Sequence, residues 1–143
     1  MTNVSKKQLQ TDEYRRLSKQ FSNTLARLTA ITSEGFIDDL LGPEEKTMLI
    51  KRLAAIVMYG EGYSSYRVAQ TLNISPATAN TIRIQFESGS YENIRKLFVR
   101  HKTDYRKLLN IIDTISRAGL PPLAGPGRWG ELASVRGTRS KQK

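Results

Sequence analysis

Between Ser75 and Arg83 the sequence SPATANTIR places Ser75, Ala77, Thr78, Asn80, Thr81 and Arg83 on the outer side of a short helix, and Ala79 and Ile82, three apart, on the inner side. The outer set is small and hydrogen-bonding, without a large apolar side chain. Asn80 is of the type that pairs both amide atoms with adenine. Ala77 or the Thr78 methyl suits a thymine methyl, and Ser75 and Thr81 can reach bases or phosphates. This is the composition expected of a helix whose N-terminal half enters a DNA major groove. Ser75, Ala77, Thr78, Asn80 and Thr81 are therefore the expected base contacts, and Arg67 and Arg83 expected phosphate contacts, with guanine as the alternative partner of Arg83. The alternative is an ordinary helical hairpin whose polar face meets water.

Other chemistry has little to work with. There is no Cys, hence no disulfide, thiolate metal site or thiol nucleophile. The single His, His101, sits between Arg100 and Lys102 with no neighbouring carboxylate to orient it. Asp38-Asp39 and Glu44-Glu45 are adjacent pairs, which diverge on a helix. The glycines lack the strand-to-helix setting of a phosphate-binding loop. The sequence is read as non-enzymatic, with no metal and no cofactor.

The elements that must position the outer set read as helices. Upstream, Val68, Ala69 and Leu72 are spaced to face inward, Asn73 suits a sharp left-handed turn, and Ile74 plugs the core below it. Ser75 then caps the second helix and Pro76 takes its first position. The motif spans about residues 64–87. Before it, Leu17, Phe21, Leu25, Leu28 and Ile31 form a helical-period stripe in a helix expected from about Lys6 to Ala30. Ser33 is the expected cap of a second helix reaching Leu41. Pro43, followed by Glu44 and Glu45, opens a third, with Leu49, Leu53, Ile56 and Val57 on one side, ending at Gly60-Glu61-Gly62. Ser90 and Thr103 are the expected caps of two last helices, about Tyr91–His101 and Asp104–Ala118. No strand alternation is present, so the fold class is all-α. Residues 1–118 are expected to form the domain, and 119–143, rich in Pro, Gly, Arg and Ser, a basic irregular tail.

The chain of 143 residues carries 23 basic and 13 acidic side chains, a net of +10. The surplus is uneven, with 11 basic against 9 acidic up to Ser90 and 12 against 4 thereafter. That distribution favours a polyanionic partner for the C-terminal third. Arg128, Arg136 and Arg139 of the tail are further expected phosphate contacts, in an arm along the backbone or in a minor groove. The other reading of the tail is a solvated end with Trp129, the lone tryptophan, folded back on the domain. Neither a signal-peptide pattern nor a bilayer-length apolar run is found, so the expected address is the cytoplasm, in association with the nucleoid, and no membrane partner is expected.

Leu40 to Arg83, LLGPEEKTMLIKRLAAIVMYGEGYSSYRVAQTLNISPATANTIR, resembles the Trp repressor superfamily, in particular its YerC/YecD-like branch. The Pro-Glu-Glu helix start, the Lys51-Arg52 pair, the Gly-rich joint and the two-helix motif carry the resemblance. It implies an intertwined, all-helical homodimer that offers two recognition helices to successive turns of double-stranded DNA, as a repressor-like transcriptional regulator. The long stripe of the first helix supports a dimer independently. In the repressor that gives the superfamily its name, one Arg of the central helix and one of the recognition helix clasp a tryptophan corepressor. Arg52 matches the first and is the ligand-binding candidate; it can equally pair with a carboxylate or a phosphate. The second position holds Thr81, which offers no cation, so the tryptophan corepressor is not expected to carry over and any effector is unknown. A competing reading is a basic architectural or mobile-element-associated protein that binds nucleic acid by charge, without operator specificity.

Overall fold

The structure is a computed structural model and describes residues 8–118 and Trp129. Among the described residues there are seven helices and no strand, as the all-α reading expects: α1 (Thr11–Ala26), α2 (Ala30–Leu40), α3 (Pro43–Gly60), α4 (Ser65–Leu72), α5 (Pro76–Glu87), α6 (Glu92–Arg100) and α7 (Lys102–Arg117). None of these helices is long and apolar enough to cross a membrane. The chain divides within α3 into two units, Met1–Met48 and Leu49–Lys143.

In the first unit, α1 is shorter than its apolar stripe, ending at Ala26 with Arg27 as C-cap. Thr29, not Ser33, caps α2. Thr29 is extended (φ −102°, ψ 173°), and its hydroxyl accepts from the Thr32 N–H while the Thr32 hydroxyl accepts from the Thr29 N–H. This reciprocal box satisfies two otherwise orphaned donors, and Ser33 then falls inside the helix. Glu45 accepts from the Gly42 N–H at 2.9 Å at the start of α3, and Lys46 pairs with Asp38. No residue of α1 or α2 is buried; Leu17, Phe21 and Leu25 remain 59, 47 and 42 % exposed.

The second unit is built around the C-terminal half of α3. Ala54 to Gly60 are buried without interruption, which requires neighbours on every side of the helix. Val68 and Ala69 of α4, Ala79, Ile82 and Phe86 of α5, Phe98 of α6, and Tyr105, Leu109 and Ile112 of α7 join it in one cluster, with Tyr63 beside them. The expected stripe is half corrected by this arrangement: Ile56 and Val57 are buried, but Leu49 and Leu53 are 49 and 37 % exposed. Gly62, at φ 88°, makes the left-handed exit from α3.

Neither Ser90 nor Thr103 is a cap. Tyr91 and His101 occupy the N-cap positions of α6 and α7, without a side-chain cap bond. A single residue joins these two helices, and Phe98 and Tyr105 meet across the joint with centroids 5.3 Å apart. Burying both rings draws the corner tight and places Thr103 within α7.

Hydroxyls bolt the helices together. Tyr59 donates to the Ala79 carbonyl at 2.7 Å and lies 3.1 Å from Ser65 Oγ, linking α3 to α5 and α4. Tyr63 donates to Asp113 and Tyr105 to the buried Glu61, each at 2.6 Å. Trp129 is also in the core, 5 % exposed, with its backbone N–H donating to the Gly60 carbonyl at 2.9 Å and its indole against Phe86 and Tyr105. For this residue, the folded-back reading of the tail is the one realised.

Candidate nucleic-acid interface

Two short helices and a tight turn form the site. Ser64 caps α4, its hydroxyl accepting from the Arg67 N–H at 3.2 Å. Asn73 ends α4 in the left-handed region (φ 52°, ψ 55°), as its residue type suggests. Its carbonyl accepts from Lys51 Nζ at 3.1 Å, which ties the turn to α3. Ser75 caps α5 and Pro76 opens it, so entry into α5 is the one read from the sequence. Val68, Ala69, Ala79 and Ile82 all face inward. α4 packs directly against α5.

The expected base contacts lie together on the leading half of α5, but their hydrogen-bonding capacity is unequal. Ala77, Asn80 and Thr81 are exposed and Thr78 is half-buried. The Ser75 hydroxyl is committed twice within the cap, accepting from Thr78 N–H at 3.1 Å and donating to Thr78 Oγ1 at 2.8 Å. Thr81 donates to the Ala77 carbonyl at 3.0 Å, so its oxygen can still accept. Asn80 Oδ1 accepts from Arg83 Nη2 at 2.6 Å. Arg83 is also held by Glu87, with Nη1 at 3.1 Å from both carboxylate oxygens. Ile84, 53 % exposed, places a large apolar side chain in water just beyond the outer set. Its position two beyond the buried Ile82 was a signal available in the sequence.

Arg67 stands apart from this face. Its guanidinium lies over the Tyr63 ring at 5.6 Å and donates to Ser116 Oγ at 3.3 and 3.0 Å through Nε and Nη2. It thereby joins α4 to α7 while remaining half-exposed. Arg128, Arg136 and Arg139 lie outside the described residues.

Arg52 and Thr81, far apart in sequence, line the same open cavity of about 430 Å³, together with Thr78, Ile82, Gln85, Ser90 and Tyr91. Burial raises the Tyr91 phenol above its ordinary pKa, and the Arg52 charge acts against that rise. Among these lining residues Arg52 is the one cation. Comparison with protein families, curated proteins and solved structures finds no match to the chain.

Cations also gather beyond α5. On α6 and α7, Lys96, Arg100, Lys102, Arg106, Lys107 and Arg117 are exposed and Arg95 is half-buried, against acidic Glu92, Asp104 and Asp113. Arg95 is paired with Glu92 at 2.6 Å.

Proposed function

We propose that this chain is a sequence-specific double-stranded-DNA-binding protein that uses α4 and α5 as a Trp repressor-like helix-turn-helix and acts as a repressor-like transcriptional regulator at the nucleoid. The observation that carries the reading is the left-handed Asn73 between two short packed helices, the second of which leads with exposed Ala77, Asn80 and Thr81. In such a motif the second helix meets base edges with its N-terminal residues while cations outside it hold phosphates. The basic residues of α6 and α7 are suited to the second task.

A homodimer belongs to this proposal. The exposed Leu17, Phe21 and Leu25 of α1 support it, since a second copy would remove that stripe from water. Two-fold symmetry would then set two half-sites about one helical turn apart.

The cations of α6 and α7 also favour a second reading, a basic architectural protein that binds duplexes by charge alone. Competition separates the two. An end-labelled duplex carrying a selected site should resist displacement by excess random duplex at moderate salt if the regulator reading holds. Equal displacement by both duplexes would leave the architectural reading. Sedimentation equilibrium at micromolar concentration tests the dimer, which a single species of 16.1 kDa would exclude.

A further inference from the structure

Asn80, Arg83 and Glu87 follow one another at i, i+3 and i+7 along α5, and their side chains form a single chain of bonds. Glu87 holds Arg83 Nη1 with both carboxylate oxygens, and Arg83 Nη2 donates to Asn80 Oδ1. A lone exposed ion pair contributes little, but a two-oxygen grip with a third charge-assisted bond is a small network with one preferred geometry. Guanidinium has only donors, so the amide atom facing it must be the oxygen. The Asn80 Nδ2 donors are consequently directed away from Arg83.

We propose that Glu87 and Arg83 are positioning residues that set which base Asn80 reads, an inference that rests on the DNA-binding reading of α5. Adenine is recognised by Asn through both amide atoms, Oδ1 taking the N6 proton and Nδ2 giving to N7. The Arg83 bond takes one of the two Oδ1 lone pairs and fixes the amide plane, so the other lone pair and the Nδ2 donors are presented together as one oriented edge. That edge matches N6 and N7 of adenine, so the contacted position reads adenine. The same network keeps Arg83 from guanine, which a released Arg would grip through O6 and N7.

Selection from random duplexes by the full-length chain, with Arg83→Met, Glu87→Gln and Asn80→Ala alongside, tests this. The wild type should enrich a motif with adenine at one position. Arg83→Met leaves the amide free to rotate and should weaken the adenine preference there by about ten-fold. Glu87→Gln frees Arg83 and should introduce a guanine preference at or beside it. Asn80→Ala should erase the adenine preference there and leave the rest of the motif. Far-UV circular dichroism confirms folding, and Glu87→Gln, an isosteric surface change, keeps the test open if Arg83→Met does not fold. If the wild type enriches a motif and neither Arg83→Met nor Glu87→Gln alters any base preference, the positioning role is overturned while DNA reading stands. If no protein enriches any motif, both fall.

Discussion

Trp129 occupies the space that a side chain at Gly60 would need. A Cβ built on Gly60 would lie 2.7 Å from Cε3 and 2.8 Å from Cδ2 of the indole, closer than such carbons approach. Gly60 ends α3, and no positive φ demands a glycine there. Close approach is the reason for it. The Trp129 ring in turn lies 5.4 Å from Phe86 at the end of α5 and 6.3 Å from Tyr105 on α7, centroid to centroid. The indole thus joins the end of the proposed recognition helix to the central helix.

Gly60→Ala should therefore destabilise the protein by about 1–3 kcal/mol, the usual cost of forcing atoms into a filled site. Helix propensity alone would favour Ala by about 1 kcal/mol, so the sign of the change reports the close approach. Trp129→Ala should cost about 3–5 kcal/mol. In the double variant the two losses should fall well short of adding, because removing the indole makes room for the methyl. Urea titrations followed by circular dichroism give all three values.

Asn73 predicts a different pattern. Its backbone sits at φ 52° and ψ 55°, where a β-branched residue is strained. Asn73→Val should cost about 1–2 kcal/mol, whereas Asn73→Gly should stay within about 0.5 kcal/mol of the wild type. Denaturant midpoints at unchanged m-value provide the check, and equal losses would mean that the turn depends on the Asn side chain instead.

The alkaline limb of stability should depend on Tyr59. Burial raises its phenol above the ordinary value of 10.0, and its hydroxyl donates to the Ala79 carbonyl. A group whose folded pKa is raised contributes stability that is complete below the unfolded pKa and is lost as pH climbs through the folded one. Stability should accordingly fall above about pH 10. Tyr59→Phe should lose about 1 kcal/mol at pH 8, the worth of a hydrogen bond, and then show a shallower decline up to about pH 11. Parallel declines would assign the alkaline limb to other tyrosines.

Two truncations should separate charge from packing in the C-terminal segment. Removing residues 131–143 deletes Arg136, Arg139, Lys141 and Lys143 but retains Trp129. Thermal stability should hold, while the slope of log K against log salt for duplex binding falls by about 0.9 for each phosphate that is no longer neutralised. Ending the chain at Leu120 also removes Trp129, so melting temperature should drop as well. An unchanged slope in the shorter deletion would mean that these cations do not meet phosphate.

Local signals made the two-helix motif legible in the sequence. Ser75 and Pro76 mark the start of a helix by capacities that residue type alone confers, and Asn73 tolerates the left-handed turn for the same reason. The inward spacing of Val68, Ala69, Ala79 and Ile82 follows from helical period. Caps with weak or competing local preference were less legible. Thr29 displaced Ser33 through its reciprocal bond with Thr32, and Ser90 and Thr103 gave way because the meeting of Phe98 with Tyr105 set the corner between α6 and α7.

The sequence by itself determined that the domain is helical, where α3, α4 and α5 begin, and which small polar side chains lead α5. Periodicity, caps and turn residues act over a few positions and are written there. Only the tertiary structure decided that Ala54 to Gly60 is enclosed on all sides, that Arg67 spans to Ser116, and that Trp129 closes over Gly60. These are meetings of residues distant in the chain, chosen by the volume and polarity of groups that the fold brings together, and no local pattern records them.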